Sequence, residues 1–395
     1  MALLAHQKLT WVLPGQPFGT GKDGDYSSAT APTLTKDSIS GTSGSPTLTT
    51  AGSTFANGDI LLLHQSRGTG VGQYEYAKVV SGGGTTTLTL SKNLVYTYTD
   101  SGASQAQAIK IPQYKDVTIQ SGTWSPAAWD GNTGGILIFA ASGVLTPTGT
   151  ISVNSLGYAG GLQYQCTTNS ATAYAGEGTA AASFRNDSSS TAANGNGGGP
   201  GMRGATGYND GPGGGGGNGT AGTGNLQDAS RDGDGGNTSG DLNLQNITFG
   251  GGGGGGVFDN TGGTGYGGNG GTGAGIVIIH AKRILTVNSI TANGANGQNW
   301  SGTAGNTGGG GAAGGSILIL TEMGDIGTDK LSTTGGSGGT SRNGQVAGVG
   351  GKGRIAIYYG VSLSGSVGGS YYGSYNAEKD TDLITGSGAA FALFV

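Results

Sequence analysis

Cysteine, histidine, proline and charge are all scarce in this sequence, and each scarcity closes off a class of protein. The single thiol, Cys166, cannot form an internal disulfide, which excludes a cystine-stapled scaffold and leaves a small packing residue. Charged residues make up 10% of the chain, against a usual share of about 25%. With a net charge of −4 and scattered lysine and arginine, no basic face exists for nucleic acid. No run approaches the ~20 apolar residues of a membrane span. The start, Met1 to Val12, lacks a basic segment followed by a long apolar core, so no secretory signal is expected and synthesis is placed in the cytosol.

The usual carriers of chemistry are also thin. His6, His64 and His280 stand apart, without partners at metal-ligand spacing; His64 and His280 close apolar strands and read as structural. Asp228, Asp232, Asp234 and Asp241 fall close together, but the nonapeptide calcium repeat does not recur. Asp325/Asp329 and Asp380/Asp382 read as solvated turns rather than a glycan-hydrolysing pair. Gly19-Thr-Gly21-Lys22-Asp23 lacks the spacing of a phosphate-binding loop. No catalytic residue, metal or cofactor is assigned, and the chain is not expected to be an enzyme.

What is abundant is glycine: 90 of 395 residues, where about 7% is usual. It concentrates from about Asn194 to Lys352, and an apolar strand returns each time the glycines stop. Gly134-Gly135 leads into Ile136 to Phe139, Gly275 into Ile276 to Ile279, Gly315 into Ser316 to Leu320, and Gly353 into Arg354 to Tyr359. The last three of these glycines are 40 and 38 residues apart, a period typical of stacked repeats. Shorter β-rich pieces follow the first three strands, at Ile151–Val153, Leu285–Ile290 and Lys330–Thr334, and Leu242 to Phe249 reads as a further strand.

Two readings of the glycine runs compete. Gly/Ser-rich segments can be random-coil linkers. Alternatively they are extended threefold helices of the polyproline II type, whose unbonded amides face outward and can bond to neighbouring backbones when no side chain intervenes. Ordering glycine costs about 0.5–1 kcal/mol more than ordering alanine, so the second reading demands dense backbone bonding. Recurring strands that clamp both ends of each excursion favour it. Triplet phasing is only local, as in Gly265 to Gly273, which excludes collagen.

The expected fold is all-β: an N-terminal antiparallel β domain, then a glycine-rich β-solenoid-like repeat region with packed polyglycine II-type helices. Four parts follow: a lead-in over 1–30, a small antiparallel domain over 31–115, the repeat domain over 116–360 and a β tail over 361–395. Asn57-Gly58 is a tight-turn signal before Ile60 to Leu63, and Thr87 to Leu90 alternates with period two. Trp124 and Trp129 read as a plug for the end of the repeats.

The units Gly314-Gly-Ser-Ile-Leu-Ile-Leu320 and Gly353-Arg-Ile-Ala-Ile-Tyr-Tyr359, each joined to an Asn/Gly-rich arc, resemble glycine-rich adhesins. The nearest kind is the detachable tail-fibre tip adhesin of T-even-like phages; large glycine-rich surface proteins of bacteria and phages are also similar. The resemblance spans roughly 134–360 and is compositional. It implies a virion or extracellular protein whose glycine helices are joined by receptor-touching loops, here the aromatic-bearing arcs with Tyr208, Phe258, Tyr266 and Trp300. It implies a host cell-surface receptor, protein or glycan, other virion or fibre subunits as partners, and a homotrimer. Trp11, Phe391 and Phe394 are the expected assembly anchors. The competing expectations are a self-assembling filament or surface adhesin subunit, joined through sheet edges and the Phe391–Val395 tail, and an ice-binding protein.

Overall fold

The structure, a computed structural model, describes residues 17–166, 171–184, 190–204, 210–224, 231–259, 265–302, 306–342 and 344–384. Trp11, Tyr208, Phe391 and Phe394, with the tail after 384, lie outside the described residues. The described chain is all-β, with a single 3-10 turn at Thr381–Leu383.

After β1 (Tyr26–Ser28) come six antiparallel strands: β2 (Lys36–Ser40), β3 (Thr47–Thr50), β4 (Ile60–Arg67), β5 (Tyr74–Ser81), β6 (Thr87–Leu90) and β7 (Gln105–Lys110). They close into a barrel in the order β2-β3-β6-β5-β4-β7. Closure removes the free edges that a small sheet would otherwise expose. Its interior holds Ile39, Leu48, Leu61, Leu63, Val79, Leu88 and Tyr98. The turn before β4 has Gly58 at φ 89°, a conformation open to glycine at no steric cost.

The linker strands β8 (Gln113–Tyr114), β9 (Val117–Ile119) and β10 (Thr123–Trp124) lead to β11 (Ile136–Pro147), β12 (Thr150–Ser152) and β13 (Tyr164–Cys166). Then follow β14 (Val257–Asp259), β15 (Gly265–Tyr266), β16 (Ile276–Ile284), β17 (Ser289–Thr291), β18 (Ser301–Gly302), β19 (Ser316–Thr328), β20 (Leu331–Ser332), β21 (Arg354–Ser366) and β22 (Ser374–Lys379). The four returning apolar strands pair in parallel at the centre of an eight-stranded sheet, in the order β1-β9-β11-β16-β19-β21-β22 with β8 beside β11. The glycine-to-strand junctions align, with Ile136 opposite Ile276, Ile276 opposite Ser316 and Ser316 opposite Arg354. The short strands form a second parallel sheet, β10-β12-β17-β20.

The large sheet is buried on both faces, which is why its strands read as unbroken apolar runs rather than alternating ones. Leu137, Phe139, Val277, Ile279, Ile317, Ile319, Ile355 and Ile357 face the short sheet, with Ile151, Ile290 and Leu331. Ile136, Ile138, Ile276, Ile278, Leu318 and Leu320 face the barrel, against Ile60, Leu62, Tyr74 and Ile109. Each such branched side chain contributes about 1.5–3 kcal/mol relative to exposure. Trp124 is buried in the first layer and Trp129 in the second.

The glycine runs are buried and hydrogen-bonded to one another. In 250–256, successive amides address three different neighbours with a period of three. Gly250, Gly253 and Gly256 donate to Ala274, Gly271 and Gly268; Gly251 and Gly254 to Gly217 and Gly214; Gly252 and Gly255 to Glu177 and Tyr174. Its carbonyls accept from three more segments, through Gly198, Gly161 and Gly310. Segments 211–217 and 307–315 are likewise surrounded. A Cβ on Gly253 would run into the Gly310 carbonyl, and one on Gly310 into Gly214, so no side chain fits there.

At the bundle's rim one position in three faces outward and carries a side chain. Asn293, Asn296 and Asn299 turn their Oδ1 atoms onto the amides of Thr334, Ser337 and Thr340, each at 2.8 Å. Asparagine thus replaces the missing neighbour and satisfies an edge donor. The strand expected over 242–249 is instead a turn. The Asp241 carboxylate accepts the Gln245 and Asn246 amides at 2.7 and 3.2 Å, and Leu244 takes φ 52°. Local capping there outcompetes strand pairing.

Candidate functional site

The hydrogen-bond register sets one end of each glycine segment against the large sheet and the other away from it. Near the sheet lie the pairs Gly157–Gly273, Gly250–Ala274 and Gly314–Gly351. At the far end lie Tyr164–Gly256, Met202–Arg231, Thr307–Val257 and Trp300–Thr340. Among the described residues, side chains larger than glycine gather at this apex.

Three of the four aromatic residues singled out in the sequence fall at this apex, and Tyr208 lies outside the described residues. Phe258 and Tyr266 meet edge to face, with ring centroids 5.8 Å apart. Phe258 is buried, whereas Tyr266 is 63% exposed. The cause is the threefold phase: Gly267, Gly270 and Gly273 face segment 250–256, while Tyr266, Asn269 and Thr272 face out. β15 pairs with β18, Tyr266 opposite Ser301, which brings Trp300 to the same corner. Trp300 continues the phase of Gly294 and Gly297, whose faces meet the 307–315 segment, and it is half-buried. Leu162, 57% exposed, sits one segment away, beside the Asn269 Oδ1 that accepts the Gln163 amide at 2.8 Å. Sequence reasoning missed Leu162; its spacing of three from Ala159 was the available signal.

Charged groups approach the apex as well. Arg203 and Asp210 are both buried, and the Asp210 carboxylate accepts the Gly204 amide at 2.9 Å. Arg342 is exposed at the end of the next segment. The apex thus sets an exposed tyrosine, braced by a buried phenylalanine, among backbone amides and near the exposed Arg342.

A second polar centre lies at the junction of barrel and bundle. The Arg67 guanidinium, at the end of β4, pairs with Glu177 from the glycine-rich half. Glu177 also accepts Trp129 Nε1 and the Ala159 amide, each at 2.9 Å, and the Arg67 guanidinium lies 6.0 Å from the Trp129 ring. The signal was a lone carboxylate inside Ala175-Gly-Glu-Gly178. Two histidines stitch the same boundary. His64 bonds Ser66 Oγ and the Ile247 carbonyl at 2.8 and 2.9 Å; His280 bonds the Pro17 carbonyl and Tyr76 hydroxyl at 3.0 and 2.8 Å. Burial pushes both imidazoles down to about 4, so they are neutral linkers. All are closed off from solvent, and the arrangement is architectural.

Among the described residues, no group of three or more His, Cys, Asp or Glu side chains is placed to hold a metal ion, and no helix is long and apolar enough to cross a membrane. No family model matches the chain, and no curated protein sequence matches it. A solved structure similar to part of it is the tailspike of an Acinetobacter baumannii bacteriophage, in complex with that bacterium's capsular saccharide. It is 10% identical with a TM-score of 0.19, over 89% of this chain and 58% of the tailspike's length.

Proposed function

We propose that this protein is a non-enzymatic adhesive component of a virion, a tail-fibre or tail-tip receptor-binding protein whose apex contacts a host surface. The observation that carries this reading is Tyr266: a large, solvent-facing ring braced edge-on by Phe258 at the end of a bundle nearly devoid of side chains. We infer that the bundle is a stack of polyglycine II-type threefold helices on a solenoid-like β base. The threefold bonding of segment 250–256 supports this. A backbone-bonded bundle holds the aromatic corner with little conformational freedom to lose, so binding costs little entropy. The receptor, protein or glycan, would meet Tyr266, Trp300 and Leu162.

The test is adsorption of labelled protein to a broad panel of bacterial strains, with Tyr266→Ala and Trp300→Ala alongside. Binding to at least one strain, reduced tenfold or more by either substitution at unchanged thermal stability, is expected. No adsorption across the panel, or adsorption indifferent to both substitutions, would overturn the reading. Light scattering on the same preparation checks the trimer implied by the resemblance.

A second reading, a filament or surface-layer subunit, rests on the large sheet ending at β22, whose outer edge pairs with no described strand. Electron microscopy separates open-ended filaments from discrete particles.

A further inference from the structure

The barrel carries a groove with no part in the apex. It lies on the barrel's outer wall, between the β2–β3 hairpin and the 97–101 segment, with a volume of about 510 Å³. That is the size range of small-ligand sites. Its floor is the antiparallel bridge of Gly41 and Tyr98, whose amides and carbonyls exchange bonds of 3.0 and 2.8 Å. A side chain at Gly41 would point inward, against Leu94 and Leu48 of the barrel core, so glycine there lets the bridge lie directly on the core. One wall is fixed from inside the barrel. The buried Gln65 amide donates to the Thr99 carbonyl at 3.0 Å and accepts the Thr99 amide at 2.9 Å. At the other end, Thr97 Oγ1 accepts the Ser43 amide at 3.1 Å.

The lining is rich in hydroxyl-bearing side chains, whose carbon atoms share the surface: Thr42, Thr47, Thr49, Thr97 and Thr99 lead it, with the Asp100 carboxylate at one end. Thr47 and Thr49 occupy the outward positions of β3, and Leu48 between them fills the core. No cationic side chain lines the groove, which disfavours phosphates and acidic ligands. No large apolar side chain opens into it, which disfavours lipids. A fixed concave wall of hydroxyls with one carboxylate complements a ligand rich in hydroxyl or ammonium donors.

We propose that this groove is a saccharide site for a neutral or amino sugar, separate from the apex. Asp100 accepts bonds from sugar hydroxyls or an ammonium group, and the threonines supply the remaining partners. Burial raises the Asp100 carboxyl above its ordinary value, against the lowering effect of a Ser38 side-chain hydrogen bond, and the nearby Asp37 adds to the rise.

The test titrates the full chain with methyl glycosides of glucose, galactose, mannose, N-acetylglucosamine and glucosamine, their dimers, and glucuronic acid. Saturation-transfer NMR and calorimetry report binding. At least one neutral or amino sugar should bind, weakened tenfold or more in Asp100→Asn and in Thr49→Val, with Tyr266→Ala unaffected. Circular dichroism confirms that the variants fold, and Thr49 is exposed enough to serve if Asp100→Asn does not. No binding by any neutral or amino sugar, equal binding by glucuronic acid, or binding unchanged in the folded groove variants would overturn the proposal. Loss in Tyr266→Ala alone would place the sugar at the apex and refute a groove site.

Discussion

Glu177 of the glycine-rich half and Arg67 of the barrel form an ion pair from which solvent is nearly excluded. The carboxylate meets its needs with Trp129 Nε1 and the Ala159 amide, and the guanidinium donates to the Ala103 carbonyl at 3.0 Å. The pair joins two parts of the chain 110 residues apart. Removing one partner strands the other charge. We predict that Arg67→Met or Glu177→Gln destabilises the protein by about 3–5 kcal/mol, whereas the double substitution costs less than the sum. Urea denaturation of the three variants in a double-mutant cycle measures this; additivity would refute the coupling.

Acid should loosen the same boundary. His64 and His280 titrate near 4 in the fold and near 6.5 when unfolded. Between these values the unfolded chain binds more protons, so stability falls as pH drops from 6.5 to 4 and levels off below. Each histidine contributes a loss on the order of 3 kcal/mol at about 1.4 kcal/mol per unit. The melting temperature should therefore decline from pH 7 to pH 4.5, less steeply in His280→Gln. A flat profile would contradict the burial.

Glycines of the bundle interior and a glycine of the open β2–β3 turn should differ sharply. Gly253→Ala and Gly310→Ala place a Cβ onto backbone carbonyls and should cost at least about 2 kcal/mol each, with loss of soluble protein at worst. Gly44→Ala, where nothing lies within 4 Å of the added carbon, should cost less despite its φ of 84°. Thermal melts rank the three, and an equal ranking would disprove the close-packed interior.

Amide exchange provides a direct measure of order. Gly250 to Gly256 each donate to a backbone carbonyl at 2.8–3.1 Å and are buried. They should be protected as strongly as the central strands β16 and β19. Exchange at the rate of an open chain would show a tether where the bonds are drawn.

Replacing the rim asparagines should act locally. Asn296→Ala leaves the Ser337 amide without its 2.8 Å acceptor, but water can replace it at this exposed edge. A cost of about 0.5–1.5 kcal/mol is expected. A cost as large as that of Gly253→Ala would mean the rim carries the load instead.

Much of this arrangement could be read directly. Four apolar runs behind glycine pairs became the four central parallel strands, because a sequence of Ile and Leu bounded by glycine has few other ways to bury itself. Phe258, Tyr266 and Trp300 stood out as large rings in side-chain-poor arcs, but which of them is buried was decided by the fold: Phe258 lies beneath an exposed Tyr266. Leu242 to Phe249 misled because alternating apolar residues look like a strand, while the Asp241 cap that decides the turn acts through backbone amides.

Local composition by itself determined where glycine must sit and where strands return, since these follow from steric size and hydropathy along the chain. Only the tertiary structure decided that segments 250–256, 211–217 and 307–315 are central, that Arg67 finds Glu177, and that the barrel wall is hollowed beside Asp100. Those outcomes depend on which backbones become neighbours across a hundred residues. Hydrogen bonds between identical glycines leave no mark of partner choice in the sequence.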